Sequence, residues 1–128
     1  AEIFICHGFD VETHIVLRRP RHELDLVAWK NDLLFTADCK HWSKPLYGTS
    51  LARIIQSQVE RTLHLLRVRC GERAYALIIT LQPWKTPFFR GVPIIPINQL
   101  NDFLLNFPGL TAKLLCIRTS TGGSPFSV

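Results

Sequence analysis

The chain has 128 residues, enough for one compact domain with a core of its own and too few for two. At 47% hydrophobic residues it excludes a wholly disordered chain, and no apolar run approaches the roughly 20 residues of a membrane span. A formal charge of +5 and a pI near 9.3 favour a polyanionic partner, nucleic acid first, beside the plainer reading of a basic protein without one.

No basic-then-apolar leader opens the chain, which begins at Ala1 and contains no methionine. Three readings are open: a processed protein, part of a longer one, or residues missing ahead of Ala1. Cys6, Cys39, Cys70 and Cys116 stand in no metal-finger spacing and among apolar neighbours. We expect them reduced and mostly buried, in a cytoplasmic protein.

In chain order, Ala1 to His7 reads as the end of a helix closed by Gly8. Phe9 to Val16 is a strand, and Arg18-Arg19-Pro20-Arg21 is a basic turn. Glu23 to Trp29 and Leu33 to Lys40 are two strands joined as a β-hairpin by the turn residues Lys30-Asn31-Asp32. His41 to Gly48 is a loop. Thr49 or Ser50 caps a long helix to about Val68, with Leu51, Ile54, Ile55, Val59, Leu63, Leu65 and Leu66 apolar and Arg53, Gln56, Glu60, His64 and Arg67 on a polar face.

Ala74 to Leu81 is a nearly continuous apolar run that suits a central strand buried on both faces. Gln82 to Gly91 is a loop. Val92 to Ile97 is a short strand that Pro93 and Pro96 place near an edge. Asn98 caps a helix to about Phe107, stopped by Pro108-Gly109, and Leu114 to Ile117 can form a last short strand. The sum is an α/β domain, residues 1–118, with a mixed central sheet and helices on both faces. Residues 119–128, rich in Gly, Ser and Pro, read as a tail or linker.

The chemistry gathers on the hairpin. Alternation puts Asp38 and Lys40 on one face and Cys39 on the other, and puts Asp25 on a face with Glu23 and Val27. With a two-residue Asn31-Asp32 turn, residue 30 pairs with 33, and Asp25 lies across from Asp38 with Cβ atoms about 5 Å apart. Two carboxylates so placed need a cation between them: Lys40, or a hard divalent ion such as Mg²⁺. Such an ion makes a water more acidic, and Lys40 is positioned to serve that water and a phosphate. A solvated, salt-bridged surface would use the same residues, but both strands are strongly apolar around them. On the long helix, Gln58 falls on the apolar stripe and requires a partner, either in the carboxylate site or on the backbone.

Glu23-Leu24-Asp25-Leu26-Val27-Ala28 through Ala37-Asp38-Cys39-Lys40 resembles the D…(D/E)xK motif of the PD-(D/E)xK restriction-endonuclease-like nucleases, and is most similar to their Mrr-like and archaeal endonuclease branches. Gln58-Val59-Glu60-Arg61 resembles the Q-x-x-x-Y helix motif of some of these families, with Thr62 in place of Tyr. Ile94 to Leu100 with Phe103-Leu104-Leu105 resembles the closing strand and helix of Mrr-like domains, so the likeness runs from about Gly8 to Phe107. It implies a restriction-endonuclease-like core and an endodeoxyribonuclease dependent on Mg²⁺ or Mn²⁺. Asp25, Asp38 and the backbone carbonyl of Cys39 would hold the metal, Lys40 would act on water and phosphate, and Gln58 would support them. Asp38 stands where this branch usually has Glu. The first helix of these families often carries a Glu further ahead of the Gly8-Phe9 pair, so that helix is expected to be truncated, with Glu2 a minor candidate.

Arg18, Arg19, Arg21 and Lys44 are candidate DNA-phosphate contacts or a solvated basic surface, and His41 and Trp42 candidate groove-lining residues. His7, His14 and His64 read as structural. Trp84, Lys85, Phe88, Phe89 and Arg90 suit base stacking or, by preference, a protein interface such as a homodimer. Two alternatives to a DNA endonuclease in restriction, repair or recombination remain: a catalytically inactive nuclease-fold module that binds nucleic acid or protein, and an interaction domain whose acidic face is only salt-bridged.

Overall fold

The computed structural model describes residues 1–42, 46 and 48–119. A single-turn helix α1 (Glu2–Cys6) leads through Gly8, at φ 85°, into the strands β1 (Asp10–Leu17), β2 (His22–Lys30) and β3 (Leu33–Lys40). Helix α2 (Gly48–Val68) follows, then β4 (Arg73–Thr80), β5 (Phe88–Phe89), β6 (Val92–Pro96), helix α3 (Leu100–Leu110) and β7 (Ile117–Arg118). The sheet order is β1-β2-β3-β4-β6-β5, with β7 against the start of β4. β1, β2 and β3 run antiparallel, β3, β4 and β6 parallel, so the sheet is mixed.

Helices cover both faces, as the alternation along β4 requires. Leu77 and Ile79 pack with Phe4 of α1 and Leu100, Phe103, Leu104 and Phe107 of α3. Ala76 and Ile78 pack with Leu51, Ile55, Val59 and Leu63 of α2. β4 is buried on both sides, as its apolar run predicts. No helix among the described residues is long and apolar enough to cross a membrane.

Several expectations are corrected. β6 lies near an edge, as expected, but is buried along its whole length; the edge itself is the two-residue β5, inside the expected 82–91 loop. Arg90 (φ 52°) and Gly91 (φ 80°) both take left-handed backbone, the conformation of a type I′ hairpin turn between β5 and β6. α3 does not stop at Pro108 but carries it internally to Leu110, and it is entered through a 3-10 turn, Ile97–Gln99, with no side-chain cap from Asn98. The cysteines are free but not mostly buried: Cys6, Cys39 and Cys70 are exposed and Cys116 is intermediate, because they lie at or just beyond the ends of elements rather than in their middles. Thr119 does not belong to the tail, since its N–H and hydroxyl donate to Glu72 O (3.0 Å) and Gly71 O (2.8 Å). Residues 120–128 lie outside the described residues.

Phe35 of β3 holds the α1/α3 side together. It is fully buried and its ring lies 4.9 Å from Phe107 and 5.6 Å from Phe9, with Phe4, Tyr75 and Phe103 around it. Deleting an aromatic ring from such a cluster typically costs about 3–5 kcal/mol. Phe35→Ala should therefore lower the urea midpoint of unfolding by that equivalent. A shift under about 1 kcal/mol would mean that the cluster collapses onto the space.

Candidate active site

The β2–β3 register runs from Lys30↔Leu33 to Leu26↔Ala37, as a two-residue Asn31-Asp32 turn dictates. One further step would set Asp25 against Asp38, and there the ladder stops. β1 and β2 also pause at that level. Their pairs run Glu12↔Val27, Thr13↔Leu26 and then Ile15↔Leu24, and the facing residues His14 and Asp25 form no pair. His14 has φ 55°, a left-handed backbone uncommon outside glycine.

Both strands change faces at this point. Leu26 and Ala28 belong to the α1/α3 core, whereas Leu24, two residues earlier, packs with Ile15, Leu17 and Leu65 on the α2 side. The expectation that Asp25 shares a face with both Glu23 and Val27 is thus corrected, because strict alternation fails at the kink.

The kink aims the Asp25 carboxylate at β3. Its Oδ2 accepts the Cys39 N–H at 2.9 Å. In a strand, successive residues turn their N–H and C=O groups to opposite neighbours. The Lys40 carbonyl accepts from Leu81 on the β4 side, so the Cys39 N–H and C=O both face the gap beside Asp25.

Asp38 is 8% exposed and Lys40 sits beside it, Nζ to Oδ2 at 3.0 Å. The Asp25 and Asp38 carboxyls hydrogen-bond to each other. Burial, and then the hydrogen bond to Asp25, push the Asp38 pKa above the usual carboxylate range, against the pull of Lys40. Burial opposes ionisation of Asp25 too. There, however, donation from Asp38 and from the Cys39 N–H, with the charges of Lys40 and His14, prevails and holds its pKa low. Of the two carboxyls, Asp38 is thus the one more readily protonated and Asp25 the one more readily ionised.

Beneath the carboxylates lies a closed ring of hydrogen bonds. Thr62 donates to the Gln58 carbonyl at 2.7 Å, so Thr36, 2.7 Å away, donates its only hydroxyl proton to Thr62 and accepts from Gln58 Nε2 at 3.1 Å. Gln58 is 1% exposed, and this ring determines which way its amide points. The amide donates to Thr36, not to the carboxylates or the backbone, and its Oε1 is buried without a partner among the described residues.

The remaining candidates separate. His41 is exposed just past β3, and Arg18, Arg19 and Arg21 are exposed on the turn before β2, at the same end of the β1–β2 hairpin as Asp25. Arg21 contacts Glu23 at 3.3 Å. Trp42 packs against Trp84, ring centroids 4.7 Å apart, and its N–H donates to Gln82 Oε1. Glu2 is exposed on α1. Lys44 lies outside the described residues. The sequence reading missed His14, Thr36 and Thr62. His14 was legible in principle, since extending the β1–β2 register sets it opposite Asp25, but nothing local signals its left-handed backbone.

No protein-family model matches the chain. It is 28% identical over 106 residues to an uncharacterized protein of Archaeoglobus fulgidus, covering 80% of this chain and 82% of that one. Its fold is that of the crystal structure of AF1548, a protein of unknown function, at a TM-score of 0.54 and 20% identity over 87% of this chain. This chain spans 65% of the length of that structure. VC1899 from Vibrio cholerae aligns at a TM-score of 0.47 and 16% identity over 81% of this chain and 28% of its own.

The two carboxyls have opposite linkage to stability. The raised pKa of Asp38 gives stability that is present below the unfolded value, about 3.9, and is lost as pH rises through the folded value. The lowered pKa of Asp25 gives stability present above about 3.9 and lost as pH falls. With divalent ions chelated, the melting temperature of Asp38→Asn relative to wild type should rise from about pH 4 to about pH 7. That of Asp25→Asn should fall over the same range. Two profiles of the same sign would refute the opposite shifts of the two carboxyls.

Proposed function

We propose that this chain is a nuclease domain with a restriction-endonuclease-like core that cleaves DNA phosphodiester bonds with the help of Mg²⁺ or Mn²⁺. The observation that carries this reading is the convergence of Asp25, Asp38 and Lys40 where β2 leaves β3. Nothing in the packing of the core requires two carboxyls there. Two carboxyls brought this close repel one another when both are ionised, unless a proton or a cation joins them.

The donor set fits a hard ion. Asp25, Asp38 and the Cys39 carbonyl offer oxygen only, which suits Mg²⁺ or Mn²⁺ completed by water and phosphate oxygens. Three-ligand groups of His, Cys, Asp and Glu are absent among the described residues, so the site would lean on a backbone carbonyl and on substrate. The ion, when bound, would supply Lewis-acid stabilisation of a phosphoryl oxygen and a more acidic water.

The chain's own residues have distinct parts. Asp38 serves as a ligand in its ionised form, which Lys40 favours. Released from Asp38, the Lys40 ammonium can donate to a non-bridging phosphate oxygen and orient the attacking water. The Gln58–Thr36–Thr62 ring fixes α2 against β3 and so holds the floor of the site. Arg18, Arg19 and Arg21 offer phosphate contacts beyond it.

Single-turnover cleavage of duplex, flapped, branched and single-stranded DNA with Mg²⁺ or Mn²⁺ tests the proposal. Wild type should cut at least one substrate. Lys40→Ala should lose about 100- to 1,000-fold in rate while still binding the ion, because it removes a charged donor and no ligand. Asp25→Asn should lose both cleavage and the metal-dependent rise in melting temperature. Full activity in Lys40→Ala would remove that residue from the mechanism. Metal binding without cleavage of any substrate would favour the inactive, binding-only module.

A further inference from the structure

We propose that His22, His64 and Arg61 form an oxyanion site that takes a phosphate group, separate from the carboxylate centre. As a contact for a phosphate beside the one cleaved, the site rests on the nuclease reading. As an oxyanion site it does not.

His22 opens β2 and His64 lies on α2, and their Nδ1 atoms are 2.8 Å apart with ring centroids at 5.0 Å and an interplanar angle of 75°. A neutral imidazole has one N–H and one bare nitrogen. One ring therefore donates through Nδ1 and keeps a bare Nε2, while the other accepts at Nδ1 and carries its proton on Nε2. Adding one proton leaves the Nδ1–H···Nδ1 bond intact and turns both Nε2 atoms into donors. The pair can thus become cationic, with two outward N–H groups, without rearranging.

Arg61 stands beside them. It is three residues before His64 on α2, hence on the same stripe of the helix. Its Nε is buried with no hydrogen-bond partner, and among the described residues no carboxylate lies within ion-pair distance of its guanidinium. A half-buried cation without a counter-charge is costly unless an anion completes it. The acids of the neighbourhood are engaged elsewhere: Glu60 accepts from Gln56 at 3.2 Å, and Glu23 pairs with Arg21. Ile15, Leu17, Leu24 and Leu65 contribute an apolar wall.

Charge decides which ligand fits. Burial first, then His64 and Arg61, hold the His22 pKa below its usual value, with Glu60 opposing. A metal cation would meet the same repulsion from Arg61 and would find no third ligand among the described residues. An oxyanion meets attraction from Arg61 instead. It neutralises Arg61, favours the extra proton on the histidine pair and accepts from the Nε2 donors. Arg18, Arg19 and Arg21, on the turn leading into His22, extend the same positive surface.

The position suits a nucleic-acid strand. His22 precedes Asp25 by three residues on β2, roughly 10 Å at about 3.3 Å per residue. Phosphates recur about every 3.4 Å of axis along each strand of a duplex. A strand lying over Asp25 therefore brings a neighbouring phosphate within reach of Arg61 and the pair.

The test is a titration with inorganic phosphate near pH 6, followed through the histidine ring resonances. His7, His14 and His41 serve as internal references. Saturable shifts should be confined to His22 and His64, and the apparent affinity should fall as pH is raised through neutrality. Arg61→Gln should weaken it about tenfold or more, the cost of one charged hydrogen-bond donor, and Arg61→Lys should restore part of it. Unperturbed His14 resonances would show that the variants fold. Shifts spread over all five histidines, shifts equal in Arg61→Gln, or none at millimolar phosphate would overturn the proposal. The two readings fail separately. Phosphate binding at the pair in a protein that cuts no DNA would sink the nuclease alone. DNA cleavage with the pair indifferent to phosphate would sink this site alone.

Discussion

The Asp25 carboxylate on the Cys39 N–H is the contact from which the rest of the site follows. β3 is an interior strand, paired with β4 as far as Lys40↔Thr80 but with β2 only as far as Leu26↔Ala37. Its last residues would otherwise turn unpaired backbone to a gap in the sheet. A side chain fills the place of the missing strand carbonyl. That substitution lets β1 and β2 turn away together, with the turn absorbed at His14 in left-handed backbone. Non-glycine residues in that region carry strain of order 1–3 kcal/mol and cluster at functional sites. Here the strain opens a notch between two strands and leaves a carboxylate on its wall.

The notch is electrostatically incomplete in a way the core is not. Asp38 is nearly buried, Asp25 stands at the surface, and their different surroundings separate two otherwise similar acids. A well-packed hydrophobic pair at this point would cost less. The hydroxyl ring of Thr36 and Thr62 with Gln58 leaves a buried amide oxygen without a donor among the described residues. Such orphaned groups are few in native proteins, and each asks for an explanation. An interior that accepts both costs within one turn of helix and a few residues of strand is organised around something other than stability.

What was readable in the sequence follows from how local each signal is. The limits of β3, the register of its hairpin and the inward turn of Gln58 rest on alternation, a two-residue turn and helical spacing, and the structure has them all. The face switch at His14–Asp25 was not readable, because it preserves the residue count of the register and alters only backbone angles. The His22–His64 contact joins residues 42 apart through tertiary packing, which no periodicity encodes. β5 was lost in a loop because two residues are too few for a pattern, although Arg90-Gly91 carried the turn. Pro108 was read as a stop because it removes a helical N–H, yet α3 runs past it to Leu110.

An acidic notch in a basic protein raises a problem of approach. On the proposed reading the substrate is a phosphodiester, an anion, and an ionised carboxylate in the notch repels it on approach. Lys40, 3.0 Å from Asp38, can balance that charge but leaves no surplus to attract an anion. The excess of 15 lysines and arginines over 10 acids must therefore act outside the notch, and the sequence concentrates three arginines at the turn leading into β2. Arg61 and the histidine pair continue that surface onto α2. The strands and α2 are rigid supports for these groups, so the anion would be held from both sides of the notch before it meets the carboxylates. On that reading, binding and chemistry would fall to opposite charges on the same two strands and one helix, with the kink at Asp25 between them.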